Sequence, residues 1–162
     1  METLYSPWRM AYISTAEKSQ ECIFCEFPKK NEDEAFLILH RGKTCFVILN
    51  AFPYNPGHLM VVPYRHIADY ESLSDMELLE MHRLAGACIA ALKENMAPHG
   101  FNMGINLGRI AGAGVDGHVH LHVVPRWSGD TNFTTVIGET RVLPEALSVT
   151  WTKLKKALSV RG

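Results

Sequence analysis

Residues Gly117-His-Val-His-Leu-His-Val-Val-Pro-Arg126 carry the pattern that governs the reading of the whole chain. His118, His120 and His122 alternate strictly with Val119, Leu121 and Val123. Successive side chains of a β-strand point to opposite faces, so this segment sets three imidazoles on one face and three branched aliphatics on the other. The aliphatic face reads as core. The opposite face bears groups that titrate near neutrality. They add little to stability, so this face reads as a functional site. The bland alternative is a polar strand face of satisfied histidines, but three buried imidazoles side by side are hard to supply with partners.

The flanking sequence divides into further strands and two main helices. Ala35 to His40 and Thr44 to Leu49 are strand-like runs, and Arg41-Gly42-Lys43 between them is a hairpin signal. Asn50 to Gly57 is dense in turn residues, and His58 to Val62 is a third strand ending at Pro63. Ser74-Asp-Met-Glu77 predicts a capped helix start, flanked by Leu73 and Leu78 as a hydrophobic staple. Leu78, Met81, Ala85, Cys88 and Leu92 form its apolar stripe, and Pro98 and Gly100 stop it. Phe101 to Asn106 is a fourth strand, Leu107 to Gly117 a glycine-rich loop, and the histidine segment the fifth strand. Pro144 suits the first position of a second helix, with Leu147, Trp151, Leu154 and Leu158 on its apolar face. Short connections between strands favour antiparallel pairing. The expected class is α+β: one antiparallel sheet of about five strands with two main helices packed on it.

The 162 residues suit a single domain, 1–162, with an aromatic N-terminal arm over 1–21 and a C-terminal extension with a helix over 128–162. A formal net charge of −1 leaves no DNA or RNA footprint, so an acidic ligand has to be held by individual residues. No apolar run approaches the length of a membrane span. Glu2 and Pro7 interrupt any secretory leader at the start, so a cytoplasmic location is expected, with reduced thiols at Cys22, Cys25, Cys45 and Cys88. Cys45 and Cys88 fall on apolar stripes and read as small core residues. His40, His82 and His99 read as exposed or locally bonded. Arg126 fits a phosphate contact or a solvated charge, and Trp8 and Trp127 fit either mutual packing or a dimer contact.

Same-face neighbours on a strand stand roughly 6.6 Å apart, and the outer pair roughly 13 Å. Metal–nitrogen bonds of about 2.0–2.1 Å do not bridge such gaps, so one ion cannot take all three histidines from a straight strand. A division of labour is expected instead, with one imidazole reacting and its neighbours assisting. A neutral imidazole attacks phosphorus well, and the N-phosphoryl bond it forms is labile, which splits one hard displacement into two easier ones. Gly108, Gly112, Gly114 and Gly117 in the preceding loop let backbone N–H groups approach a phosphate.

Gly117 to Val124 resembles the His-x-His-x-His-x-x signature of the histidine triad proteins, which are nucleotide-binding hydrolases and transferases. Asn50-Ala-Phe-Pro-Tyr-Asn-Pro-Gly-His58, followed by Leu59-Met-Val-Val-Pro63, is similar to a second stretch of that family. The likeness covers roughly residues 20–127. The aromatic arm and Arg126-Trp-Ser-Gly-Asp-Thr-Asn-Phe133 resemble the branch containing diadenosine tetraphosphate phosphorylases. The resemblance implies that His120 attacks the α-phosphate and carries the nucleotidyl group, while His122 hydrogen-bonds phosphate oxygens. It further implies that Asn50 contacts the sugar, that His58 supports the histidine cluster, and that Asn106 touches the phosphate; the glycine-rich loop adds Gly112 and Gly114 as substrate-binding positions. Many relatives carry a glutamine or hydroxyl residue shortly before the triad. Ala113-Gly-Val-Asp116 stands there in this chain, which leaves open how the leaving group is protonated. A dinucleoside polyphosphate or nucleotide conjugate is the implied substrate, and a homodimer the implied assembly.

Cys22-Ile-Phe-Cys25 has the spacing of half a zinc site. Some triad relatives complete such a site with the residues that match His66 and His118, which implies a structural zinc held by Cys22, Cys25, His66 and His118. Two reduced thiols or a redox pair are the rivals. No organic cofactor is implied. A second enzyme reading is a metal-dependent hydrolase with the histidines as ligands, and the rival from another class is a nucleotide-binding partner protein with weak or vestigial catalysis.

Overall fold

The computed structural model describes residues 21–130 and 145–159. Residues 1–20, 131–144 and 160–162 lie outside that range, and with them Trp8, Pro144, nearly all of the arm and about half of the proposed extension.

Five strands form one sheet in the order β1-β2-β3-β5-β4, every neighbouring pair antiparallel. They are β1 (Ile38–Arg41), β2 (Cys45–Leu49), β3 (Leu59–Pro63), β4 (Gly100–Ile105) and β5 (Leu121–Arg126). Among the described residues the α-helices are a single turn, α1 (Ile23–Glu26), the long α2 (Asp75–Met96) and α3 (Leu147–Ser159). The α+β expectation therefore holds, and each predicted strand occurs with its ends shifted by a few residues.

Every residue of β2 and β3 is buried, because both faces of the sheet are covered. On one face Val47, Leu49, Leu59, Val61, Val119, Leu121 and Val123 pack against Met81, Ala85, Cys88 and Leu92 of α2 and Leu154 and Leu158 of α3. On the other, Ile38, Phe46, Ile48, Met60 and Val62 surround Phe24 of α1. The two expected helices both pack on the aliphatic face, and α1 covers part of the opposite one.

The predicted start of α2 is realised. Ser74 Oγ accepts from the Glu77 amide and the Glu77 carboxylate accepts from the Ser74 amide. Glu77 does a second job, because Arg65 Nε and Nη2 donate to its two oxygens at 2.9 and 2.6 Å. That clamp ties the chain just beyond β3 to the start of α2. It fixes the segment that presents His66, the Pro63 carbonyl and the Ile67 carbonyl to the histidine segment. Ala97, in the left-handed conformation, ends the helix ahead of Pro98.

Candidate functional site

The histidine segment enters the sheet later than its alternation suggests. β5 begins at Leu121, and residues 118–120 run ahead of it, held by the Val119 amide donating to the Ile67 carbonyl at 2.7 Å. The two-residue periodicity survives, with Val119, Leu121 and Val123 all in the core. His118, His120 and His122 point the other way and are buried. His122 is paired with Met60 of β3 in the sheet register. The His120 and His122 rings lie 4.8 Å apart, centre to centre, closer than the strand repeat allows for parallel side chains.

Phe24 separates the first two histidines. Its ring lies 5.5 Å from that of His118 and 5.1 Å from that of His120. On one side of it is a cluster of Cys22, Cys25, His66 and His118, whose four donor atoms lie within 4.8 Å of one another. His118 Nδ1 is 3.3 Å from Cys22 Sγ and 3.6 Å from Cys25 Sγ, and His66 Nδ1 is 3.3 Å from Cys25 Sγ. A tetrahedral centre with bonds of about 2.3 Å to sulfur and 2.0 Å to nitrogen sets sulfur and nitrogen roughly 3.5 Å apart, so the four groups fit a metal ion. His118 Nε2 donates to the Pro63 carbonyl at 2.8 Å, which turns the Nδ1 lone pair toward the sulfurs. Burial, with Cys22 beside it, pushes the Cys25 thiol up to about 11, so without a cation the sulfur keeps its proton. Among the described residues this is the only cluster of three or more such groups, and His120 and His122 are not in it.

On the other side of Phe24 the hydrogen bonds assign a tautomer to each ring. The Tyr54 amide donates to His58 Nδ1 at 3.1 Å, so His58 carries its proton on Nε2. That proton points to His122 Nδ1, 2.9 Å away, so the His122 proton sits on Nε2. His122 Nε2 is the one buried side-chain nitrogen or oxygen among the described residues without a hydrogen-bond partner. A buried donor left unmet costs stability and marks a place where a ligand acceptor is missing. His120 is set the opposite way. Its Nδ1 donates to the His118 carbonyl at 2.8 Å, leaving Nε2 as the basic nitrogen. Burial holds His118 and His122 down to about 4 and lowers His120 as well, so all three rings are neutral at pH 7.

His120 and His122 form one wall of a cavity of about 540 Å³. Phe24, Phe27, Ile48 and Met60 supply apolar walls, and Gly112, Ala113 and Gly114 of the glycine-rich loop close another side. Asn50 lines it too; its Oδ1 accepts from the Phe52 amide at 2.8 Å, which bends the turn after β2. Gly57 lets that turn pass under α2. It has φ +76°, and a Cβ there would stand 2.8 Å from Leu92 and 2.9 Å from Met96. Asn106 follows β4 directly, lies beside Gly112 and lines a second cavity of about 450 Å³, which His122 also borders.

His118, His120, His122, Asn50, His58, Gly112 and Gly114 are thus brought together, and Cys22, Cys25 and His66 join the far side of His118. Arg126 is held by Asp130 and Asn102. His82 bonds within its own helix, and His99 accepts from the Ser128 amide. Three contributors were not singled out from the sequence. Phe24 sits inside the Cys-x-x-Cys spacing, which drew attention to sulfur. Tyr54 acts through its main-chain N–H and a ring 4.6 Å from that of His58, neither of which leaves a residue-type signal. Asn55, buried, donates to the Pro125 carbonyl at 3.0 Å and to Asp130 at 2.8 Å, tying the turn to the end of β5.

Comparison with known proteins agrees with this arrangement. The HIT domain sequence model matches residues 30–129. The AP-4-A phosphorylase of Mycobacterium tuberculosis is 43 % identical over 155 residues, covering 91 % of this chain and 79 % of that protein. An asymmetrical bis(5'-nucleosyl)-tetraphosphatase of Schizosaccharomyces pombe is 27 % identical over 111 residues, covering 68 % of this chain and 58 % of its own length. Among solved structures, a zinc-bound histidine triad family protein from Mycobacterium smegmatis superposes with a TM-score of 0.70 at 27 % identity, covering 87 % of this chain and 95 % of its own. With the family model matching residues 30–129, more than half of the chain, and two of its three histidines on one cavity wall, the chain belongs to the HIT domain family.

Proposed function

We propose that this HIT-type enzyme cleaves dinucleoside polyphosphates of the diadenosine tetraphosphate kind through a covalent nucleotidyl-histidine intermediate. The observation that carries this reading is the pair of fixed tautomers: a basic His120 Nε2 and an unpartnered His122 Nε2–H on one cavity wall. The first suits attack on phosphorus, the second suits a phosphate oxygen. The names of the relatives support the substrate class.

In the first step His120 Nε2 bonds to the α-phosphorus and the bond to the bridging oxygen breaks, releasing the remaining nucleoside polyphosphate. Charge on the non-bridging oxygens is met by His122 Nε2–H and by amides of the glycine-rich loop at Gly112 and Gly114. Asn50 contacts the sugar, His58 fixes the orientation of His122, and Asn106 contacts the phosphate. In the second step an oxygen of inorganic phosphate or water attacks phosphorus, the P–N bond breaks, and the electron pair returns to Nε2. Cys22, Cys25, His66 and His118 would hold a structural zinc ion, which would fasten α1 to the histidine segment and take no part in bond making. No organic cofactor enters. The proposed assembly is a homodimer, as the triad resemblance implies; light scattering on the purified protein measures it.

His120→Asn is the test. Turnover of diadenosine tetraphosphate is expected to fall on the order of a thousandfold or more, with no labelled enzyme formed and the thermal transition retained. Near-normal turnover would sink the mechanism. Product analysis of the wild type decides the acceptor. ADP formed only with inorganic phosphate means phosphorolysis, and AMP or ADP formed from water alone means hydrolysis.

A further inference from the structure

The glycine-rich loop presents one arginine to the reaction cavity. Arg109 opens the short 3-10 turn Arg109–Ala111, set between Gly108 at φ +80° and Gly112 at φ +96°. Among the described residues lining the cavity it is the only lysine or arginine. The other loop residues at that wall, Gly112, Ala113, Gly114 and Val115, have no polar side chain, and Asp116 is negative. A polyphosphate chain extending from His120 along this loop therefore finds one cationic side chain. Arg109 is spent on Asp116 of the same loop, at 3.7 Å, in a pair whose side chains are 78 % and 50 % exposed. Such an exposed pair, beyond good hydrogen-bond length, is worth little and exchanges readily for a better anion.

We propose that Arg109 is the specificity residue for the phosphate chain beyond the α-phosphate, exchanging Asp116 for the β- or γ-phosphate of a nucleoside polyphosphate. This rests on the reading above that the nucleotide occupies the His120 cavity. The planar guanidinium offers paired donors that match two phosphate oxygens. Asp116 keeps the arginine at the cavity rim when no polyphosphate is present and repels anions that lack the charge to displace it. The loop thus discriminates by phosphate number, where Ala113 and Gly114 offer no side-chain donor.

Titration of the full chain with AMP and with ATP reads this directly, as the ratio of the two dissociation constants. Arg109→Gln is expected to reduce the preference for ATP over AMP by about tenfold, the order expected on losing one charge-assisted hydrogen bond. Arg109→Lys is expected to keep part of the preference, because charge remains while the fork is lost. Asp116→Asn is expected to tighten ATP more than AMP. An unchanged ATP-to-AMP ratio in Arg109→Gln overturns the proposal, as does an equal loss for both nucleotides. If the wild type binds both nucleotides but never cleaves diadenosine tetraphosphate, the catalytic reading fails while the binding ratio still decides the role of Arg109.

Discussion

At the residue scale, the proposed chemistry depends on where single protons sit. Main-chain groups set the direction at each end. The Tyr54 amide can only donate and the His118 carbonyl can only accept, so His58, His122 and His120 have their tautomers imposed on them. Neutrality is imposed by burial, and this gives a pH prediction. His122 is held down to about 4, below the ordinary histidine value of 6.5. Between those values the unfolded chain binds a proton that the folded one refuses, so stability is fully present above pH 6.5 and declines as pH falls toward 4. His122→Asn should remove one proton's worth of slope from stability against pH across that window, as followed by thermal unfolding in matched buffers. Identical slopes in the two proteins would contradict the buried neutral state.

At the element scale, the β1–β2 hairpin is anchored by a helix side chain. The Glu80 carboxylate on α2 accepts from the amides of Lys43, Thr44 and Cys45 at 2.8, 2.5 and 2.9 Å, and from the Thr44 hydroxyl. Gly42 is required at the same spot, because a Cβ there would stand 2.7 Å from both Glu80 Oε1 and the Cys45 carbonyl. Glu80→Ala should cost about 1.5–3 kcal/mol in urea denaturation, the value of hydrogen bonds to a charged acceptor. A loss below about 0.5 kcal/mol, the range of an ordinary surface change, would show that water replaces the carboxylate. Capping box, apolar stripe and hairpin turn were all legible in the sequence, because each is a short-range pattern. Glu80 was not: an isolated glutamate on the polar side of a helix looks the same whether it meets solvent or three amides from a hairpin.

At the scale of the whole molecule, α1, the segment after β3 and the histidine segment meet at one cluster of sulfur and nitrogen atoms. Zinc there would fasten chain positions that no backbone pairing joins to α1. Treatment with a strong chelator should lower the thermal transition by several degrees and blunt turnover, with zinc restoring both. Cys22→Ser should start from the lower transition and no longer respond to chelator. A transition indifferent to chelator and zinc in the wild type would rule out the structural metal. Turnover would follow stability here, because the His118 carbonyl that orients His120 belongs to a residue of the cluster.

The sequence alone determined the strand class of the histidine segment, the partition of its side chains between two faces, the start of α2 and the order of the elements. These are consequences of backbone periodicity and local hydrogen bonding, which act over a few residues and therefore show in any window of the chain. Tertiary structure decided the rest. It divided the triad at Phe24, sending His118 to the cysteines and leaving His120 and His122 to the cavity. It also chose which nitrogen of each ring carries the proton, through a Tyr54 amide and a His118 carbonyl. Imidazole is symmetric enough to offer either nitrogen, and only neighbours brought from distant parts of the chain break that symmetry.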